Sequence, residues 1–158
     1  MTVHKTAMRI SMRLPTAQRL ALLAGVCLSG VACSEQGPPR KETYPVTGQV
    51  YVDGAPANYL AVTCHDTKGM DAAMPTVSSA FTGEDGGFSI STYESGDGVP
   101  AGDYVLTFMW GQKEAFSGRY GGPDKLNNRY TDPKDAPVRF TVEAGKPTDL
   151  GRIELTKK

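Results

Sequence analysis

From residue 46 onward, apolar and polar positions alternate in short runs broken by Gly, Pro, Asn and Asp. No stretch holds a helical period for three turns. Alternation at period two puts one set of side chains inward and the other outward, so the pattern predicts an all-β sandwich or barrel. A first strand is expected over 46–52, with Val46, Gly48, Val50 and Val52 on one face. Asp53-Gly54 follows, a pair that tolerates positive φ and signals a tight turn. A second strand is expected over 59–65, with Leu60, Val62 and Cys64 inward, and a third over 76–82. Residues 84–87 (EDGG) read as another hairpin turn before a fourth strand over 88–92. The fifth, 103–110, has the strongest alternation. Tyr104, Leu106, Phe108 and Trp110 share one face and Val105, Thr107 and Met109 the other, so both faces are expected to be covered. Residues 111–137 carry little strand signal beyond a helical turn expected near 123–128. Strands over 138–142 and 149–155 complete a seven-stranded antiparallel β-sandwich, the last contributing Leu150, Ile153 and Leu155.

The first 32 residues follow another pattern. Lys5, Arg9, Arg13 and Arg19 precede the apolar run 20–32 (LALLAGVCLSGVA), with no acid among them. A basic region, an apolar stretch and small residues before a cleavage point make an export signal. The run is too short to span a bilayer, which takes about 20 apolar residues. Met8 and Met12 are alternative starts to Met1, and Met12 gives the most compact signal.

Cys33 falls just after the small residues. Ala32 and Val31 suit the lipoprotein signal peptidase, while Gly30 stands where Leu is usual. The reading is a lipoprotein signal (1–32), a lipidated Cys33 with a flexible tether (33–43), and a folded domain (44–158). Gly30-Val31-Ala32 also fits the small-x-small rule of ordinary secretion, with a cut at the same bond and a soluble periplasmic or secreted product. A diacylglycerol on the thiol, with further palmitate-type acylation of the amine, would hold the protein to the membrane. Each buried methylene contributes about 0.8 kcal/mol, and two or three chains anchor firmly. Ser34 resembles the sorting default of Gram-negative bacteria, which implies the outer membrane. Residues 34–43 (SEQGPPRKET) are polar and Pro-rich, a tether of at most about 35 Å.

Composition narrows the classes. The chain has 158 residues with 17 basic and 17 acidic side chains. Removing 1–32 leaves 13 basic against 17 acidic residues, a net charge of −4. That is the wrong sign for a nucleic-acid partner. Beyond Cys33 the only cysteine is Cys64, so no internal disulfide is expected and a packed core must supply stability.

Several segments then resemble a known family. Residues 45–56 (PVTGQVYVDGAP) resemble the opening of carboxypeptidase-regulatory-like, transthyretin-like domains. Residues 82–88 (TGEDGGF) resemble their T-D-x-D-G-x-F hairpin, and 93–104 (YESGDGVPAGDY) their P-x-G-x-Y approach to the next strand. Residues 126–137 (LNNRYTDPKDAP) resemble a segment of small bacterial lipoproteins of this group. The resemblance covers most of 45–155. It implies a transthyretin-like or Ig-like sandwich serving as an accessory, adhesive or scaffolding module. These motifs are turn chemistry, so they specify fold better than activity.

The candidate chemistry is sparse. His65 is the only histidine beyond residue 33, and one histidine beside Asp66 falls short of a zinc signature. Cys64 and His65, adjacent on a strand, point to opposite faces and cannot form a nucleophile pair. No serine sits in a G-x-S-x-G elbow, and the Gly-rich stretches do not match a phosphate loop. Glu84/Asp85 and Asp132/Asp135 lack the six to eight oxygens of a calcium site and read as turn caps. Neither cofactor nor metal is expected, and the chain reads as a non-enzyme. The best binding candidate is 111–137, with Phe116, Arg119, Tyr120, Arg129 and Tyr130, because aromatics with arginines favour recognition. The competing reading has the tyrosines cover the sandwich end while the arginines pair with Asp124 and Asp132. Trp110 continues an inward stripe and reads as core rather than as a sugar platform. The expected partners are the membrane, through the acyl chains, and an envelope protein or glycan.

Overall fold

The computed structural model describes residues 39–114 and 118–158. Cys33, Phe116 and the signal segment lie outside the described residues. In chain order the strands are β1 (Val46–Val52), β2 (Ala55–Pro56), β3 (Ala61–Asp66), β4 (Ser78–Phe81), β5 (Gly87–Ser89), β6 (Gly102–Met109), β7 (Gln112–Lys113), β8 (Tyr120–Gly121), β9 (Val138–Val142) and β10 (Thr148–Leu155). The seven expected strands are all present with ends moved by up to three residues. Three two-residue strands, β2, β7 and β8, are additional. The expected turn near 123–128 is a run of non-helical turns, and the 3-10 turn is at Pro133–Asp135 instead, where Asp132 caps the Lys134 amide.

Two four-stranded sheets face each other. One runs β4-β3-β6-β9 and is antiparallel throughout. In the other, β1 is central, with β10 on one side and β2 and β5 sharing the other. β1 and β10 pair in parallel, which departs from the all-antiparallel expectation. The inward stripes meet between the sheets: Val46, Val50, Val52, Leu60, Val62, Leu106, Phe108, Val142 and Leu155 are all buried. Each such side chain contributes roughly 1.5–3 kcal/mol by leaving water.

Local chemistry explains the turns. Asp53 (φ 53°) and Gly54 (φ 82°) both sit in the left-handed region, as a two-residue turn joining β1 to β2 requires. Residues 83–87 turn as expected, with Asp85 capping the Gly87 amide at 2.9 Å. The two arms meet as a hairpin would at one antiparallel bridge, Ser79–Ser91, while their longer ladders lie in different sheets, β4 with β3 and β5 with β1. β6 is covered on both faces: Val105 and Thr107 are buried opposite Tyr104, Leu106 and Phe108. The Tyr104 hydroxyl donates back to the Pro100 carbonyl at 2.9 Å and ties the preceding loop to the strand.

The end of the expected tether is not free of the domain. Arg40 pairs with Glu94 at 3.0 Å, and Lys41 with Asp71 at 2.6 Å. Tyr44 exchanges two backbone hydrogen bonds with Val99. Asp97 accepts from the amides of Thr92, Tyr93 and Glu94 and from the Thr43 hydroxyl. Burial pulls its carboxyl up, but those hydrogen bonds together outweigh burial and hold it below the usual range.

Gly48 occupies the inward stripe because the Phe88 ring lies against it. A Cβ there would meet the ring at 2.8 Å and the Gly151 carbonyl at 3.3 Å. Phe88 is buried and has little room to retreat. Gly48→Ala should destabilise the domain by about 1–3 kcal/mol. Urea denaturation checks this, and an unchanged midpoint would show that Phe88 can move.

Candidate functional site

The described part of 111–137 folds back against the sandwich instead of hanging from it. Asp124 organises the return. One carboxylate oxygen accepts from the Trp110 and Leu126 amides at 2.8 and 3.0 Å, and the other accepts from Asn128 at 2.9 Å. Leu126 is thereby driven fully into the core. The Phe108 amide donates to the Tyr130 carbonyl at 2.9 Å, continuing the edge of β6 where β9 stops.

Among the described residues, Tyr120 lies apart from Arg129 and Tyr130. Tyr130 reaches the residue that follows β10: its hydroxyl accepts from the Thr156 amide at 3.1 Å. Burial raises its phenol, but hydrogen bonding with Thr156 and the nearby Arg129 outweigh that and lower it. Arg129 donates to the Thr156 hydroxyl at 3.2 Å. Asp124 and Asp132, the acids expected to pair with the arginines, instead accept from backbone amides. Arg119 is exposed beside β8. Arg129 and Tyr130 thus fasten the segment to Thr156, just beyond the end of β10, which is a structural task.

Tyr120 belongs elsewhere. Its hydroxyl accepts from the Gly111 amide at 2.8 Å and the Ala61 amide at 3.3 Å, and lies 2.8 Å from the Met109 carbonyl. Burial raises its phenol, with those amides pulling the other way. This places the ring edge-on to Tyr59, at 5.3 Å between centroids, and to Phe81, at 4.7 Å. Tyr59 and Phe81 are stacked at 4.8 Å with an interplanar angle of 14°. Phe81 is 48% exposed and Tyr59 37%. Tyr59 has φ 57°, a left-handed conformation uncommon for a bulky residue. The result is a three-ring aromatic patch open to water, built from a strained loop residue, a strand and a ribbon.

Tyr59 and Phe81 are absent from the residues singled out by sequence. The signal was present: Phe81 falls on the outward parity of its strand, where an aromatic is out of place. Trp110 is half-buried against the core, as its stripe implies. Its indole donates to the Asn58 carbonyl at 3.0 Å, with Lys125 and Lys157 over the ring at 4.8 and 5.2 Å.

Cys64 and His65 diverge as expected. Cys64 faces the core, and burial pushes its thiol up to about 12. The His65 Nε2 pairs with the Thr107 hydroxyl at 2.8 Å on the opposite face, and burial lowers its pKa. Among the described residues, no three His, Cys, Asp or Glu side chains gather around a metal-sized space.

No protein-family model matches the chain, and no curated protein matches it. Solved structures do. The major pilin subunit of Bacillus cereus is 12% identical with a TM-score of 0.38, over 72% of this chain and 29% of that one. (S)-allantoin synthase is 19% identical with a TM-score of 0.42, over 74% and 42%. The 5-hydroxyisourate hydrolase of Klebsiella pneumoniae is 14% identical with a TM-score of 0.35, over 76% and 93%. The chain thus spans less than half the length of the first two. At this distance the likenesses say nothing of activity, and the class assigned from the geometry itself is an all-β, two-sheet sandwich.

The Tyr120 hydroxyl sets the geometry of the patch. Tyr120→Phe removes the acceptor for two amides and should cost about 1–3 kcal/mol. Chemical denaturation measures that cost. A stability equal to wild type would show that water replaces the hydroxyl.

Proposed function

We propose that the chain is an exported protein held to the outer membrane by acyl chains on Cys33, and that it works as a non-enzymatic interaction module of the envelope. Its finer kinship, to carboxypeptidase-regulatory-like domains, rests on the motifs at 45–56, 82–88 and 93–104. The observation that carries the interaction reading is the aromatic patch. Isolated exposed apolar residues are ordinary, whereas three rings in contact at the surface mark a place where something docks. Aromatic rings bring much contact area for little lost side-chain freedom, which suits them to recognition. The Tyr120 hydroxyl and the Tyr59 backbone hold these rings ready in the unbound protein.

The anchor is tested in cells. An alkyne palmitate should label the wild-type chain and leave Cys33→Ala unlabelled. An unlabelled wild type sinks the lipoprotein reading and leaves ordinary secretion.

A second reading makes the docking partner a glycan or an extended peptide. The stacked Tyr59–Phe81 pair favours it, since exposed ring surface suits both a sugar ring and a peptide side chain. The patch replaces the wider 111–137 loop as the place where it would bind. On an array of peptidoglycan fragments, envelope glycans and peptides, wild type should give signals that Tyr59→Ala and Phe81→Ala each weaken at least about tenfold, the loss of 1.4 kcal/mol. Both positions are exposed, so the variants should keep their fold. Binding indifferent to both substitutions would reject the patch.

A further inference from the structure

We infer that the loop 67–77 seats Met70 and Val77 in the headgroup boundary of the bilayer that holds the protein; this rests on the Cys33 anchor proposed above. Met70 and Val77 are 67% and 66% exposed, more than any other large hydrophobic residue described. The loop that presents them is held in shape. The Asp66 carboxylate caps the Lys68 amide at 2.7 Å, and Asp71 caps Ala73 at 2.9 Å. Singly exposed aliphatic side chains are ordinary, and what sets these two apart is that both line one groove beside Lys41 of the tether.

The tether arrives at this same place. Lys41 bonds the loop directly through Asp71, at 2.6 Å. Pro39 and Arg40 form a groove of about 420 Å³ with Met74, Pro75 and Tyr93. Lys41, Met70 and Val77 line a second groove of about 390 Å³. From Cys33 to Pro39 the chain reaches at most about 21 Å when fully extended. Acyl chains at Cys33 therefore keep this end of the domain close to the lipid. Two side chains alone would bind a membrane too weakly to matter. Tethering makes the contact intramolecular, and a high effective concentration populates a marginal contact.

Charge identifies the kind of lipid surface. The cations Arg40, Lys41 and Lys68 are outnumbered here by Glu42, Asp66, Asp71, Glu94 and Asp97. The contact is thus apolar, and neutral phospholipid should suffice.

The test uses the full chain, expressed in a Gram-negative host with alkyne palmitate and reconstituted into phosphatidylcholine vesicles. A solvent-sensitive fluorophore is placed at Met70→Cys, Val77→Cys or, as control, Phe81→Cys; palmitate labelling and flotation are read on the same samples. The probes at 70 and 77 should be blue-shifted and quenched about twofold by brominated lipid, as expected for side chains within the headgroup boundary. The probe at 81 should be unaffected. Labelled, floating protein whose probes at 70 and 77 stay in water overturns the docking and leaves the anchor standing. A blue shift without lipid quenching means that a second copy or another protein covers the loop, which also overturns it. Absence of label and flotation overturns the anchor and the docking together.

Discussion

The fold depends on β1 finding β10. β1 is the centre of its sheet, with β10 on one side and β2 and β5 on the other. Its parallel partner lies roughly a hundred residues away in sequence, and such closure is entropically costly and slow to form. Val46, Val50 and Val52 are fixed against Thr148, Ile153 and Leu155 in register, so the inward stripe of one strand continues into the other. Without β10, β1 would have an open edge and the core beneath it would be uncovered. The contact of Gly48 with Phe88 belongs to the same constraint, because β5 can pair with β1 only if the Phe88 ring has somewhere to lie.

Alternation predicts which face a residue occupies, but not which strand lies beside it. The strands over 46–52 and 138–142 therefore have the bounds their patterns imply, while the parallel closure had no local signature. An irregularity within β10 was readable, though not its direction of pairing. Leu150 and Ile153 are three apart on a strand, which breaks the period of two. The structure resolves this with a bulge: Gly48 alone faces two residues, Leu150 and Gly151, and Gly151 takes φ 60°. The turn at 84–87 was legible as chemistry but not as topology, since the same Gly-rich bend serves a hairpin or a change of sheet.

The candidate site was legible in part for the same reason. Tyr120 was recognisable as a recognition-type residue. Its partners come from a turn and a strand distant in sequence, joined only once β3 pairs with β4 and β6. Arg129 and Tyr130 had the same residue chemistry, but Thr156 at the far end of the chain claims both. Asp124 was expected to pair with an arginine, and its capping role was missed because it depends on three amides whose positions the sequence does not specify. Composition proposes recognition residues, and topology decides which of them are left over from holding the fold together.

The strand β3 gives these surfaces a common geometry. Its first residue, Ala61, pairs with Phe81 and Met109 beside the aromatic patch. Its last, Asp66, pairs with Tyr104 and begins the loop that Lys41 holds. Five residues of extended strand separate the two by about 17 Å. β4 repeats the arrangement, with Val77 just before its start and Phe81 at its end. The tether and the exposed aliphatic loop thus share one end of the four-stranded sheet, and the aromatic patch occupies the other. An anchor at Cys33 would hold the first end against lipid and leave the second facing outward. β6, buried on both faces, runs beside β3 from one of these ends to the other, so the two surfaces are joined through the best-packed strand of the sheet.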